Sequence, residues 1–160
     1  MSGGSSPHEP EPVALPDYIE AMIARFRDEF ASKRVELRLA DAPPDVTLML
    51  CPKRLDHVFL NLFNNASDFM PAGGGIIVRF EAAEDQIAVE IEDSGPGLKP
   101  ETASKLFTPF FTDGKPQGTG LGLTICKNVI EDHGGEIHAR AEPGRGAIFR
   151  FTLPRGAGQE

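Results

Sequence analysis

Apolar side chains recur along the chain at the spacing of three amphipathic helices. From Pro16 the apolar positions return every three or four residues as far as Phe30, which predicts the first helix. A second, longer helix is predicted from Pro52 to Met70, because proline is favoured in a first helical turn and the A-G-G-G run that follows ends the pattern. The third is predicted over Leu121–His133, where two glycines end it.

Outside these helices, apolar and polar residues alternate in six short stretches, as they do in half-buried β-strands. These stretches are residues 35–39, 46–50, 76–80, 87–91, 136–141 and 147–153. The third and fourth are predicted to pair with each other, and so are the last two. The order of helices and strands predicts an α/β (α+β) two-layer sandwich, in which three helices cover one face of a mixed sheet.

Composition divides the chain into one domain with a tail at each end. Residues 1–15 are rich in Ser, Gly, Pro and Glu, which predicts a flexible tail or a cloning remnant. The domain is predicted over residues 16–154, and a short C-terminal tail over 155–160. Within the domain, residues 98–117 form a long connection with several prolines and glycines, which predicts a lid over a ligand site.

Charge and hydropathy exclude two classes of partner. The 160 residues carry a net charge of −8, whereas binding to nucleic acid requires a basic surface. No apolar run approaches the ~20 residues of a membrane span, and the first residues lack the basic and apolar regions of a signal peptide. These observations predict a domain that binds no nucleic acid and does not itself span a membrane. Two cysteines in predicted structured segments, Cys51 and Cys126, have no metal-ligand spacing and predict buried thiols in a reduced, cytoplasmic compartment.

A D-S-G-P-G string at Asp93–Gly97 ends the fourth predicted strand. It supplies one carboxylate and then, at Gly95 and Gly97, backbone that can approach a flat group closely. An ionised carboxylate only accepts hydrogen bonds, so Asp93 would select the amino group of adenine over the carbonyl of guanine. The alternative is a solvated turn, because the same residue types are common in turns.

A second string, G-T-G-L-G-L, opens the third helix with glycines at alternate positions. Gly118, Gly120 and Gly122 would leave backbone N–H groups open at the positive end of the helix dipole, which favours an anion such as a phosphate. Lys115, in the predicted lid, is the nearest cation to these glycines. The alternatives are a flexible hinge for the glycines and a solvated surface amine for Lys115.

Two asparagines on the second helix suggest a site for a cation. Asn61 and Asn65 lie four residues apart, so they share one face of the helix, and Asp68 continues that face. A neutral amide oxygen suits Mg²⁺, which takes hard oxygen ligands and shares others with phosphates and water. The alternative is that the two amides face solvent or cap a neighbouring loop.

Taken in order, these motifs resemble the catalytic, ATP-binding domain of sensor histidine kinases. That family is grouped with gyrase B, the heat-shock chaperones of the Bergerat (GHKL) fold and the mismatch-repair ATPases. The string N-L-F-N-N-A at 61–66 is similar to the family's N box, D-S-G-P-G to its first glycine box, L-F-T-P-F-F-T at 106–112 to its F box, and G-T-G-L-G-L at 118–123 to its second glycine box. The ending G-R-G-A-I-F-R-F-T-L-P also matches. The resemblance implies a Bergerat fold with an ATP lid.

By this resemblance the domain would bind ATP and Mg²⁺ for two-component signalling. It would present the γ-phosphate to a histidine on a separate dimerisation domain and, through that domain, act on a response regulator. Asn65 would hold Mg²⁺, Asp93 the adenine amino group, and Gly118–Gly122 the phosphates, with Asn61, Asn65 and Lys115 as the catalytic set. The residues expected to contact the nucleotide are Asn61, Asn65, Asp68, Phe69, Asp93, Gly95, Gly97, Lys115, Gly118, Thr119, Gly120, Leu121 and Gly122.

One position separates kinases from ATPases in this superfamily. The hydrolysing members carry a glutamate one turn before the metal-binding asparagine as a general base, whereas Asn61 cannot accept a proton near neutral pH. The resemblance therefore favours a protein-histidine kinase whose phosphoacceptor domain is absent from this chain. The alternatives are a nucleotide-binding module that transfers no phosphate, and a GHKL-type ATPase or serine kinase. The domain would be cytoplasmic, alone or as the cytosolic part of a membrane-anchored sensor.

Overall fold

The computed structural model describes residues 9–97, 99, 101, 122–142 and 144–155. In this part of the chain the helices are α1 (Leu15–Ala31), α2 (Pro52–Asp68) and α3 (Gly122–Asp132). The strands are β1 (Glu11–Ala14), β2 (Val35–Leu39), β3 (Thr47–Leu50), β4 (Gly74–Ala82), β5 (Gln86–Asp93), β6 (Ile137–Arg140) and β7 (Ile148–Pro154). None of these helices has the length and apolar character needed to cross a membrane.

Five of the strands form one mixed sheet, in the spatial order β2-β4-β5-β7-β6. β2 runs parallel to β4, and the other neighbours are antiparallel. In β5, Ile87, Val89 and Ile91 are buried in the core, whereas Glu90 and Glu92 point to the opposite, more open face of the sheet. The predicted two-layer arrangement of a mixed sheet and three helices is confirmed, and so are both predicted strand pairs.

The main departure from the sequence prediction is a second, two-stranded sheet. β1 lies within the stretch for which the composition predicts a flexible tail, yet it pairs antiparallel with β3, with Glu11 opposite Leu50. Leu48 and Leu50 bury one side of β3, and the Leu15 N–H donates to the Val46 carbonyl at 2.8 Å. These contacts hold the two segments side by side, so β3 pairs with β1 rather than joining the mixed sheet.

Aromatic side chains of α1 and α2 join the helices to each other and to the sheet. Phe30 of α1 packs edge to face on Phe63 of α2, with ring centroids 5.8 Å apart, and Phe59 of α2 packs on Phe151 of β7 at 5.5 Å. All four rings are buried. Such pairs contribute about 0.5–1.5 kcal/mol each beyond the burial of apolar area. They hold α2 in a fixed orientation against the sheet.

A histidine after α3 holds the start of α2. The Cys51 N–H, at the N-cap of α2, donates to His133 Nε2 at 3.0 Å. Because Nε2 accepts this bond, the ring proton lies on Nδ1, which donates to the Val129 carbonyl of α3 at 2.8 Å. The beginning of α2 is therefore fixed relative to the end of α3.

The turn after α2 requires a glycine. α2 ends at Asp68, two residues before its predicted end at Met70. Gly73 adopts a φ of +99°, and the Gly74 N–H donates to the Arg34 carbonyl at 2.9 Å. A Cβ on Gly73 would lie 2.6 Å from that carbonyl oxygen, so only glycine fits where the chain leaves α2 and enters β4.

Candidate functional site

The carboxylate of Asp93 is buried at the end of β5. It lies on the same side of the strand as Ile91 and is 3% exposed. Oδ1 accepts hydrogen bonds from the Gly95 N–H at 2.9 Å and the Ala147 N–H at 3.1 Å. Oδ2 has no hydrogen-bond partner among the residues that the structure describes.

A buried oxygen of this kind suits a ligand with an N–H donor. Leaving a buried acceptor unsatisfied costs about 1–3 kcal/mol, so such groups often mark a functional position. Burial raises the pKa of Asp93 above its ordinary 3.8, although the hydrogen bonds from Gly95 and Ala147 oppose that shift. A ligand that donates to Oδ2 would satisfy the remaining acceptor. The alternative of a solvated turn carboxylate does not fit a side chain that is 3% exposed.

Glycines surround this carboxylate where a side chain would not fit. A Cβ on Gly146 would overlap both the backbone and the carboxylate of Asp93. Gly97 has a φ of +89°, and a Cβ there would lie 2.6 Å from the Arg145 carbonyl oxygen. A Cβ on Gly95 would lie 3.5 Å from the carbonyl oxygen of Phe69, which follows α2. The turn after β5 therefore presents bare backbone next to the end of α2.

The asparagine pair lies along α2, and Asn61 lies beside the start of α3. Asn65 is 3% exposed, so it does not simply face solvent, and Asn61 is half-buried. Asn61 Nδ2 donates to the His57 carbonyl at 2.9 Å. A Cβ on Gly122, the first residue of α3, would lie 3.2 Å from Asn61 Oδ1. The buried Cys126 thiol of α3 donates to the Val58 carbonyl of α2 at 3.8 Å, and burial raises the pKa of that thiol to about 12, although the nearby Asn61 side chain opposes that shift.

α2 thus lies between the turn after Asp93 and the start of α3. The turn that follows Asp93 lies near Phe69, the C-cap of α2, and α3 begins beside Asn61, which lies eight residues earlier or about 12 Å along the helix. Asn65 lies between these two points. The arrangement fits an elongated ligand that carries an amino group at one end and anionic groups at the other.

The remaining predicted site residues divide into two groups. Asp68, the last residue of α2, is exposed, and Phe69, the C-cap of α2, is half-buried. Because Phe69 lies near Gly95, both residues belong to the Gly95 end of the candidate site. The others lie outside the described residues, as does nearly all of the predicted lid. These are Lys115, Gly118, Thr119, Gly120 and Leu121.

In the described part of the chain, we find no metal site that protein side chains alone would form. No group of three or more His, Cys, Asp or Glu side chains there could hold a metal ion. The buried amide of Asn65 nevertheless offers the hard, neutral oxygen that Mg²⁺ accepts when phosphates and water supply the other ligands. The residues present therefore fit a magnesium ion that arrives with a nucleotide.

Two contacts of the site were not predicted from the sequence. The Ala147 N–H donates to Asp93 Oδ1, and Gly146 packs directly against Asp93. The only sequence signal was the G-R-G string between the last two strands, which predicts a turn but not its partner. The main chain before β7 is thus a wall of the candidate site.

Together, the buried carboxylate, the glycine turn and the asparagine helix define a nucleotide-binding domain of the two-layer α/β class. The sequence profile of the histidine kinase-, DNA gyrase B- and HSP90-like ATPases matches residues 51–157. Sensor histidine kinase ZraS of Klebsiella oxytoca is 36% identical over 143 residues, which cover 89% of this chain and 31% of that protein. The chain belongs to this ATPase family, and within it corresponds to the catalytic domain of sensor histidine kinases. It spans about a third of the length of ZraS.

Solved structures agree with this assignment. The nucleotide-free catalytic domain of histidine kinase ThkA is 30% identical, with a TM-score of 0.77 over 91% of this chain and 95% of that chain. ThkA in complex with the response regulator TrrA is 25% identical, with a TM-score of 0.76 over 92% of this chain and 42% of that chain. Full-length ShkA in complex with AMPPNP is 27% identical, with a TM-score of 0.77 over 91% of this chain and 31% of that chain.

Proposed function

We propose that this domain binds Mg-ATP and presents its γ-phosphate to a histidine on a separate dimerisation domain. The main supporting observation is the Asp93 carboxylate, buried to 3% exposure with Oδ2 lacking a partner among the described residues. Adenine carries an amino donor that fits this oxygen, whereas guanine presents a carbonyl oxygen at the same position. ATP binding by this domain is also consistent with the AMPPNP bound to ShkA.

Asn65 would hold Mg²⁺ through its amide oxygen. When bound with ATP, the ion would neutralise charge on the β- and γ-phosphates. The position of Asn65 on α2, between Asn61 and the end of the helix near Phe69, supports a role in the middle of the proposed site. The predicted phosphate-binding residues Gly118–Gly122, with Lys115, would complete the anionic end.

Asn61 favours transfer to another protein over hydrolysis. Its amide nitrogen donates to the His57 carbonyl, and neither amide atom can take a proton from water near neutral pH. Without a general base at this position, bound ATP would persist until a stronger nucleophile, such as a histidine imidazole, arrives in line with the γ-phosphate. Positioning and charge neutralisation, rather than covalent chemistry, would then be the contribution of this chain.

The partners would be a histidine-bearing dimerisation domain and, through it, a response regulator. The complex of ThkA with its response regulator supports this view, and so does the match of the chain to about a third of ZraS. The net charge of −8 is compatible with such partners and argues against nucleic acid. A cytoplasmic location is part of the same proposal.

A phosphotransfer assay tests the proposal directly. The chain is mixed with the separately produced dimerisation domain of ZraS and ATP labelled on its γ-phosphate, and acid-labile phosphohistidine is measured. We expect labelling that requires Mg²⁺ and that, in Asp93→Asn, needs a higher ATP concentration than in the parent. Tight ATP binding without labelling of this or any other dimerisation domain tried would favour a nucleotide-binding module. Rapid phosphate release without an acceptor would favour an ATPase.

A further inference from the structure

Arg145 joins the segment before β7 to the open face of the sheet through a two-pronged ion pair. Its Nε donates to Glu92 Oε2 at 3.0 Å, and its Nη2 donates to Glu92 Oε1. Its Nη1 donates to Glu142 Oε1 at 2.9 Å. Two parallel hydrogen bonds from one guanidinium to one carboxylate fix the orientation of both groups, which a single contact does not. Arg145 is therefore held to β5 at a defined position.

The backbone of the same segment holds Asp93 from the other side. The Ala147 N–H donates to Asp93 Oδ1 at 3.1 Å, and the Asp93 N–H donates to the Ala147 carbonyl at 3.1 Å. Gly146 packs so closely that a Cβ there would overlap Asp93. The Arg145 carbonyl, in turn, lies against Gly97 in the turn after Asp93.

Alternation along β5 explains how one segment reaches both faces. Glu92 points to the open face and Asp93 to the core, because successive side chains of a strand point in opposite directions. In the segment before β7, the Arg145 side chain binds Glu92 and the Ala147 N–H donates to Asp93. A shift of this segment would consequently lengthen the Ala147 bond and rotate the Asp93 carboxylate.

We propose that Arg145 is a positioning residue for adenine recognition, acting through Ala147 on the Asp93 carboxylate. This inference rests on the proposed function, since it assumes that Asp93 reads the adenine amino group. The hydrogen bonds of the Arg145 side chain are to Glu92 and Glu142 on the open face. Arg145 would fix the position of Asp93 Oδ2. It would thereby affect how well the site discriminates between an amino group and a carbonyl oxygen at the same position of the purine ring.

The test compares ATP with inosine triphosphate, which has a carbonyl oxygen in place of the adenine amino group. Binding of each nucleotide to the 160-residue chain is measured by calorimetry for the parent and for Arg145→Met. ATP affinity should fall about fivefold in Arg145→Met, within the range of coupling between residues of one network, and inosine triphosphate affinity should stay within about twofold. The ratio of the two affinities should therefore fall.

Arg79→Met is the matched control. Arg79 lies on β4 and binds the same Glu92 carboxylate at 2.7 Å, but its described contacts include no residue of the segment before β7. It should lower the melting temperature by no more than Arg145→Met does, because it removes fewer hydrogen bonds, and leave the ratio of affinities at the parent value. Arg145→Lys keeps the charge without the two-pronged geometry, so its ratio should lie between those of the parent and Arg145→Met.

Each outcome decides a different question. A parent that binds ATP in preference to inosine triphosphate, with the same preference in Arg145→Met, would reduce Arg145 to a structural role. If Arg145→Met does not fold, an unchanged preference in Arg145→Lys would have the same meaning. A parent that binds ATP weakly, or both nucleotides equally, would contradict the proposed function itself and with it the role of Arg145.

Discussion

Replacing Asp93 with asparagine keeps the shape of the side chain but changes the hydrogen-bonding character of one atom. The N–H groups of Gly95 and Ala147, at 2.9 and 3.1 Å, both donate to Oδ1, so the amide oxygen of Asp93→Asn must take that position. Its NH₂ group then takes the position of Oδ2, which has no partner among the described residues. A donor would face the adenine amino group, and the opposite rotamer would direct the NH₂ group at two backbone donors.

The expected loss corresponds to one charge-assisted hydrogen bond. Hydrogen bonds to charged groups contribute about 1.5–3 kcal/mol, and each 1.4 kcal/mol is about tenfold in Kd, so ATP affinity should fall about 10- to 150-fold. Without nucleotide, the variant should melt close to the parent temperature. The reason is that both backbone bonds at Oδ1 are kept, while a charge whose burial is unfavourable is removed.

Titration calorimetry with ATP and Mg²⁺ measures the change, with Asp45→Asn as the control for the loss of one negative charge at an exposed position. Inosine triphosphate should bind Asp93→Asn at least as tightly as it binds the parent, because the new NH₂ group can donate to its carbonyl oxygen. Unchanged ATP affinity, or an equal loss for both nucleotides, would show that Asp93 does not contact the amino group.

Acid provides a second test of the same group. Because burial raises the pKa of Asp93 above 3.8, the carboxylate should lose its charge at a higher pH than an exposed aspartate does. ATP affinity should therefore decline further on acidification for the parent than for Asp93→Asn. For folding without nucleotide the sign is opposite, since an acid with a raised folded-state pKa stabilises the fold as the pH falls through that pKa. Parallel affinity profiles of parent and variant would refute this linkage.

Three further substitutions test the metal site, the ion pairs and the backbone. Asn65→Ala should weaken ATP binding more in Mg²⁺ than in chelator, measured by calorimetry, and equal losses would contradict a metal-binding role for Asn65. Glu92→Gln should lower the melting temperature at neutral pH, because hydrogen bonds from arginine hold the pKa of Glu92 at about 2. That difference should narrow as the pH falls from 4.5 toward about 2, since a depressed folded-state pKa gives stability that acid removes, and a constant difference would refute it. Arg34→Gly should raise the melting temperature by about 1–4 °C. Arg34 has a φ of +63°, which costs an L-residue about 1–2 kcal/mol, and the larger unfolded-state entropy of glycine offsets only part of that gain. A lower melting temperature would mean that the Arg34 side chain stabilises the fold.

Local sequence patterns predicted the elements whose stability comes from their own amphipathic character. β2 lies at its predicted bounds, because its alternation is regular and turn residues flank it. β1 was not predicted, because Glu11 and Pro12 are poor strand formers and the strand depends on pairing with β3, which is distant in sequence. The same long-range pairing explains why β3 lies outside the mixed sheet.

In the candidate site, side-chain chemistry could be predicted and main-chain chemistry could not. Asp93 and Asn65 were singled out because the motifs that contain them occur in the order found in histidine kinase ATP-binding domains, although each motif alone is common in purely structural turns and helices. Ala147 contributes only its N–H, a group that every residue but proline possesses, so its residue type gives no indication of its contact with Asp93. That contact arises from the register between β5 and β7, which pairs Glu92 with Ile148 and so brings Asp93 opposite Ala147.

The position of α2 links the two ends of the proposed site energetically. Gly95 lies near Phe69, directly after this helix, and Gly122 lies near Asn61 in its middle, so a displacement of α2 would alter the proposed adenine and phosphate contacts together. A cavity under α2, for example from Phe63→Ala, should therefore weaken ATP and inosine triphosphate by the same factor. Substitutions at Asp93 should instead separate the two nucleotides. Selectivity between nucleotides thus distinguishes a local change at the carboxylate from a shift of the helix that carries the asparagines.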